Sequence, residues 1–418
     1  MAAATLLHGE TTGDGQAIDV TLFESGDRAG GHANTVEVSL DGVTYALDTG
    51  FMVFNERTYP VFIDLLQRWG VASQPSDMSF GVSSERTGLE YAGTGLAGLF
   101  AQPSNLVSAA HWRMLADIAR FARVGRRLLR ERDDTTTIGE LLASGRWSKR
   151  FVDEYLLALG SAIWSCDPRD FAEFPARALA AFLDNHGLLT LLDRPPWRTI
   201  VGGSQSYVNA AVRELGGAVR AGSDVHNVRR MDHGAEITTS EGAERFDHVV
   251  LAVHADTALD LLVDASPVEK ELLGAFAYEP NDVVLHHDPT MLPRSRRAWA
   301  SWNHHRGASP ASRVQVTYHL NRLLDIEAPH QFCVTLNRTD DIDPSRVLWR
   351  GTMSHPLYNT AAFAAQRRWR EISGVTRTHY CGAYWGWGFH EDGAASGKRV
   401  AEALLAATPT SAGTGRGR

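Results

Sequence analysis

IDVTLFESGDRAGGHANT, residues 18–35, runs from an apolar strand into the carboxylate of Glu24, then Arg28, then the pair Gly30-Gly31. A strand that ends in an acid and opens into a glycine-bearing turn is the second half of a dinucleotide-binding unit, where the acid accepts the hydroxyls of a ribose. In that unit the first strand and a G-x-G-x-x-G turn lie about 20 residues earlier. Counting back from Glu24 lands at or before Met1, so Ala2–His8 reads as the tail of the intervening helix and Thr11–Gln16 as the turn that follows it. Gly13 and Gly15 sit too close to the strand to form a phosphate loop. The expectation is a natural reading frame that begins upstream, with a short Val/Ile-rich strand and the glycine loop, because a parallel sheet relies on its central strand for ladder bonds and packing. The alternative is a different N-terminal solution to phosphate binding.

Outward from this stretch, VEVSLDGVTYALDTG alternates apolar and polar residues about Asp41-Gly42, the pattern of a hairpin. Tyr59–Gly70 turns helical, and helices dominate from Leu106 to Asp193, Phe151–Trp164 among them, until a turn at Arg194-Pro195-Pro196. Gly202-Gly203 opens a helix over Ser206–Leu215, and Ala218–Met231 and Phe246–Val253 are predicted strands. The second contains DHVVLAV, nearly continuously apolar as in a buried parallel strand. Asn281–His287, Arg297–His304, Val314–Leu320 and Phe332–Asn337 supply four strands of a mixed sheet, Thr378–Cys381 a last strand, and Gly393–Ala406 a last helix. The predicted architecture is α/β. A discontinuous Rossmann-like cofactor lobe (1–58, 196–265 and 372–408) carries an α+β substrate lobe (59–195 and 266–371), and a polar, glycine-rich tail at 409–418 is expected to be disordered.

Composition narrows the function classes. Hydrophobic and charged residues at 44% and 22% of 418 are those of a globular chain. No apolar run approaches the ~20 residues of a membrane helix, and the N-terminus lacks the order of a signal peptide, so the expected compartment is the cytoplasm. A net charge of −8 gives no reason to expect nucleic acid. Cys166, Cys333 and Cys381 are odd in number and without metal-ligand spacing, and HEDG at 390–393 is not the H-E-x-x-H zinc signature, so no metal site is expected.

A second constellation lies at the other end of the chain, CGAYWGWGFHEDGAASGKRVAEALL, residues 381–405. Gly382, Gly386 and Gly388 let a loop run tight against a flat ligand, Tyr384, Trp385 and Trp387 supply ring surfaces, and Asp392 is a plausible cap for a helix starting near Gly393, whose free amides favour an anion. E-x-x-x-R-x-G-G from Glu24 to Gly31, together with this segment, resembles the flavin amine oxidase and phytoene desaturase superfamily, whose members bind FAD. GGHANT resembles a subgroup of predicted oxidoreductases often encoded beside cyclopropane fatty acid synthase-type methyltransferases; most of the superfamily has an arginine where this chain has His32.

The resemblance implies a glutathione reductase/amine oxidase type of fold with FAD held by Glu24, Arg28, Gly30, Gly31, His32, Gly50, Phe51, Val225, Ala252, Gly382, Glu391, Asp392, Gly393 and Ala394. In it TGFMVFN, 49–55, lies beside the flavin ring, Val225 belongs to the strand laid against adenine, and Ala252 closes the cofactor crevice. Members that oxidise amines place a lysine near flavin from the substrate-lobe sheet. None of the four strand candidates holds one; they carry His286, His287, His304 and His319. His390 and then Tyr384 are the first candidates for proton handling.

The implied function is hydride transfer between FAD and a hydrophobic acyl-lipid substrate, with the electron partner open. The rival readings are a flavin amine oxidase and, in another class, a non-catalytic flavoprotein-like chain. Residues 106–132 set Leu115, Ile118, Phe121, Ala122, Leu128 and Leu129 along one side and Arg113, Arg120, Arg123, Arg127 and Arg130 along the other, a basic amphipathic helix suited to peripheral contact with the inner face of a membrane.

Overall fold

The computed structural model describes residues 1–13, 15–131, 134–189, 195–308 and 313–406. The expected disordered tail, and Arg194 of the expected turn, lie outside these residues.

Glu24 ends a short strand, Leu22–Glu24, that runs parallel to Val219–Ala221. Val249–Leu251, from DHVVLAV, runs parallel to Thr378–Tyr380. These are two separate pairs and not one continuous parallel sheet. Among the described residues no strand lies against the remaining edge of Leu22–Glu24 or of Val249–Leu251, and both edges border the same cavity. The predicted strand over Ala218–Met231 is broken at Gly222, where φ is 70°, and only its second part, Val225–Met231, joins the antiparallel meander with Gly234–Thr239 and Gly242–Phe246. Ala2–Leu7 is helical as expected and crosses the helix His390–Ala406 closely: a side chain at Gly397 would meet Ala3 N at 3.0 Å.

The largest sheet among the described residues has seven strands in the order Val347–Pro356, Tyr278–His286, Cys333–Leu336, Val316–His319, Trp302–Arg306, Phe80–Ser84, Glu90–Ala92. All neighbours are antiparallel except Trp302–Arg306 with Phe80–Ser84, so the sheet is mixed as expected. Two details differ from expectation. The strand predicted over Arg297–His304 starts at Trp302, because Arg296–Ala298 closes into a 3-10 turn. Val347–Pro356 is a strand whose alternation is interrupted by Gly351, which hides its period of two.

Against this sheet packs the helical lobe. Its longest element, Ala109–Glu131, buries Met114, Phe121 and Leu128 at intervals of seven residues, with Phe151, Leu179 and Leu183 in the same core. Leu115, Ile118 and Ala122, one helical step round, face a cavity. The expected apolar side of this helix is therefore divided between core and cavity. The chain bulges into a π-turn at Val152–Leu156 between Lys149–Phe151 and Leu157–Trp164.

Candidate active site

The glycine pair is held by its own arginine. Arg28 donates to Ala33 O (3.0 Å) and to Gly31 O (3.2 Å), which curls residues 28–33 into a rigid loop beneath the end of Leu22–Glu24. Gly30 sits at φ 125°, and a side chain there would lie 2.8 Å from Ala33 O. Gly50 meets the same loop from the other side: Phe51 N donates to His32 O at 3.2 Å, so close that a side chain at Gly50 would collide with that carbonyl. Asp48, just before it, is buried and accepts from Thr35 Oγ1 (2.6 Å) and Ser204 N (2.9 Å), tying the hairpin to the helix Gln205–Leu215. Burial pushes its carboxyl up to about 6.

Most of the residues named from the sequence meet. Glu24, Arg28, Gly30, Gly31, His32, Gly50, Phe51, Val225, Ala252, Gly382, Tyr384, His390, Gly393 and Ala394 all border one cavity of about 3140 Å³. Glu24 Oε1 accepts from Gly26 N at 2.9 Å, which orients the carboxylate.

Two named residues do not reach the cavity. The helix starts at His390, earlier than the expected Gly393, so Asp392 lies in its first turn and accepts from Phe389 N at 2.9 Å. Burial pushes the Asp392 carboxyl up to about 6. Glu391 turns outward and accepts from Val61 N and Phe62 N at 3.0 and 2.9 Å, which caps the helix Pro60–Arg68.

His390 borders the cavity but is engaged: its ring stacks on Phe51 with centroids 3.6 Å apart, and Nε2 meets Tyr207 Oη at 2.6 Å. Burial, and then His32, pulls its pKa down to about 3. The Tyr384 ring packs on Phe276 and Trp385. His286, His287, His304 and His319 line no part of the cavity; His286 is bonded to Thr335 Oγ1 and His319 to Gln331 Oε1.

Beside His32, two histidines that sequence reading passed over also border the cavity, His254 and His355. His32, His254 and His355 cluster with ring centroids 5.8 Å (His32–His254) and 5.4 Å (His32–His355) apart. Burial, and then His254, brings His32 down to about 4. Burial, and then His32 and His254, brings His355 to about 3. Burial also lowers His254, whose ring lies 4.3 Å above Tyr278. The cluster is therefore neutral at pH 7.

Asn281, wholly buried in the sheet, orients His355. Its Oδ1 accepts from Asn337 Nδ2 at 2.7 Å, which leaves its Nδ2 to donate to His355 Nδ1 at 3.2 Å. The neutral proton of His355 is thereby placed on Nε2. The available sequence signal for the cluster was the position of His254 two residues past Ala252.

The residues present fit FAD on structural grounds. A carboxylate at the end of Leu22–Glu24, a loop at Gly30 and Gly50 that admits no side chain, and the first turn of His390–Ala406 converge on one cavity, where His32 Nε2 is buried without a hydrogen-bond partner. Among the described residues no group of side chains is arranged to hold a metal ion.

No curated protein matches the sequence. Solved structures that share its fold include a putrescine oxidase variant (15% identity, TM-score 0.66, 97% of this chain and 96% of that one). They also include cyclohexylamine oxidase from Brevibacterium oxydans IH-35A (16%, 0.65, 97% and 96%) and a fatty acid isomerase from P. acnes described as producing CLA (16%, 0.66, 96% and 95%). The family model for flavin containing amine oxidoreductases matches residues 1–286. The chain belongs to that family, and it is an FAD-dependent oxidoreductase.

Proposed function

We propose that the substrate of this oxidoreductase is a long acyl chain, carried on a lipid, that is desaturated or reduced. The observation that carries this reading is the substrate-lobe branch of the cavity. Leu115, Ile118, Phe121, Leu159 and Ile163 line it on the helical side, and Val283, Leu336 and Trp349 on the sheet side. Among the described residues no Asp, Glu or Lys of the substrate lobe borders the cavity; its acidic lining, Glu24, Asp19, Asp224, Asp232 and Asp247, belongs to the cofactor lobe. An ammonium substrate is costly to bury without a partner, whereas a hydrocarbon gains about 0.8 kcal/mol per buried CH₂. This asymmetry favours the acyl reading over the amine oxidase one. The fatty acid isomerase among the structures of the same fold is consistent with it.

FAD, when bound, supplies the two-electron chemistry. The chain's part is to exclude water, to hold the acyl chain along the apolar branch and to offer a neutral hydrogen-bond donor, His355 Nε2–H, to negative charge that develops beside it. Its low pKa is what keeps this ring neutral and donating. The test is anaerobic titration of the FAD-loaded protein, in oxidised and in reduced form, with an acyl phospholipid and with primary amines. A change in the flavin spectrum with the phospholipid and none with amines is the expected result; the opposite pattern overturns the proposal in favour of an amine oxidase.

A further inference from the structure

We infer that the surface formed by the first part of the helical lobe seats on an anionic lipid bilayer, next to the acyl branch of the cavity. Ten large apolar side chains are markedly exposed among the described residues, and four of them fall within 17 positions: Leu96 (76%), Leu106 (54%), Val107 (87%) and Trp112 (52%). They form one surface. Phe100 packs against Trp112 with ring centroids 5.2 Å apart, Trp112 Nε1 donates to Leu106 O at 2.9 Å, and Phe100 N donates to Leu96 O at 3.0 Å. Exposed apolar groups held rigidly together mark an interaction site more than scattered ones do.

The helix Ala109–Glu131 continues this surface and gives it a charge. One exposed stripe of it reads Trp112, Ala116, Ala119, Arg123, Arg126, Arg127, Arg130, with exposed Arg113 beside Trp112, so the cations gather toward its second half. Residues 96–131 contain six arginines and two acids in a chain of net charge −8. Both acids are already engaged: Asp117 is buried against Arg113, Arg120 and Ser148 N, and Glu131 pairs with Arg127. Arg123 and Arg130 have no ion pair among the described residues. An apolar end beside a basic end matches the headgroup and acyl boundary of an anionic membrane, and it fits a neutral or acidic protein surface less well. No helix among the described residues is long and apolar enough to cross a bilayer, so the contact is with one leaflet.

The position of this surface explains what it is for. Gly95 and Leu99, next to Leu96 and Phe100, border the cavity, as do Leu115, Ile118 and Ala122 on the inner side of the same helix. Ala119 and Arg126 are both exposed and at the cavity, so the cavity opens where the helix meets solvent. An acyl chain leaving a leaflet here would pass from one apolar surface to another. The inference rests on the acyl reading above only for what is delivered; the surface itself is independent of it.

The experiment is co-sedimentation of the FAD-loaded full chain with vesicles of phosphatidylcholine alone and of equimolar phosphatidylcholine and phosphatidylglycerol, at low and high salt. Expected are binding to the anionic vesicles, loss of binding in high salt, and a fall of about tenfold or more in both Val107→Asp and the double variant Arg123→Glu/Arg130→Glu. Thermal melting and the flavin spectrum of these variants should match the parent, since all three side chains are exposed. Three outcomes overturn the inference: the parent chain stays in the supernatant with anionic vesicles, the variants bind as the parent does, or the parent is a dimer that Val107→Asp dissociates, which would make a second copy the occupant. If vesicle binding fails while detergent-dispersed phospholipid still alters the flavin spectrum, only the surface is lost; if vesicles bind and no lipid alters the spectrum, only the acyl reading is lost.

Discussion

Asn281 sets the tautomer of His355. Because Asn337 donates to Asn281 Oδ1 at 2.7 Å, the Asn281 amide nitrogen faces His355 Nδ1 at 3.2 Å, and the imidazole can accept there but not donate. His355→Asn should slow flavin reduction or reoxidation by the lipid about 10²- to 10³-fold, the usual cost of one pre-oriented donor, while the visible spectrum of bound FAD is retained. Stopped-flow absorbance reads both. A rate within a few fold of the parent would remove His355 from the chemistry.

Asn281→Asp reverses the demand on that ring. A carboxylate accepts from Nδ1–H, so the neutral form loses its Nε2 proton and the His355 pKa rises from its depressed value of about 3. The rate at pH 8 should fall, and recover as the pH drops through the raised pKa and both nitrogens become protonated. A purely structural loss would lower the rate at every pH alike.

Glu24, one oxygen of which is fixed by Gly26 N at the cavity, is proposed to accept the ribose hydroxyls. Glu24→Ala removes charge-assisted hydrogen bonds worth about 1.5–3 kcal/mol, so FAD should bind about tenfold to a hundredfold more weakly. Fluorescence titration of apoprotein with FAD measures this, and an unchanged affinity would place the adenosine elsewhere.

Gly30 and Gly31 both have positive φ, yet they differ in surroundings. Gly30 (φ 125°) has Ala33 O at 2.8 Å from any added side chain, whereas Gly31 (φ 57°) has nothing within 4 Å. Gly31→Ala should cost only the left-handed backbone term, about 1–2 kcal/mol. Gly30→Ala adds a backbone collision and should cost more and loosen the flavin loop. Urea unfolding of the two variants gives the order.

Acid should destabilise the protein before its carboxylates titrate in bulk. Burial holds His32, His286, His305, His319 and His379 at about 4, and His304, His355 and His390 at about 3, against an ordinary 6.5. Their folded-state pKa values are depressed, so the unfolded chain binds more protons between 6.5 and about 3. The stability they contribute is complete above 6.5 and is lost as pH falls through that window. Asp48 and Asp392, raised to about 6, act in the opposite sense between about 6 and 3.8, and Glu279 and Glu391, which burial also raises, act in that sense too, but these four are outnumbered by the eight histidines. The urea midpoint should therefore decline steadily from pH 7 to pH 5. A flat or rising midpoint over that range would contradict the buried neutral histidines.

The local elements were legible because their signals are local. The Asp41-Gly42 turn, the apolar run of Val249–Leu251 and the small, acid-rich start of His390–Ala406 each declare themselves within a few residues, and Glu24 with Gly30-Gly31 named a nucleotide site by chemistry alone. By itself, then, the sequence determined the class of fold and the cofactor family, and fourteen of the sixteen site residues read from it border one cavity.

Only the tertiary structure decided which side chains are free to act. Glu391 and Asp392 spend their carboxylates on backbone amides, and His390 is taken by Tyr207 and Phe51, because partners up to 330 residues away reach those positions first. His32, His254 and His355 come from three distant segments and share no spacing, so although His32 is legible beside the glycine pair, nothing along the chain announces that the three rings meet. The division of Ala109–Glu131 between core, cavity and exposed basic surface was likewise settled by what packs on each side. Periodicity sets which residues share a helix face; long-range packing sets what that face touches.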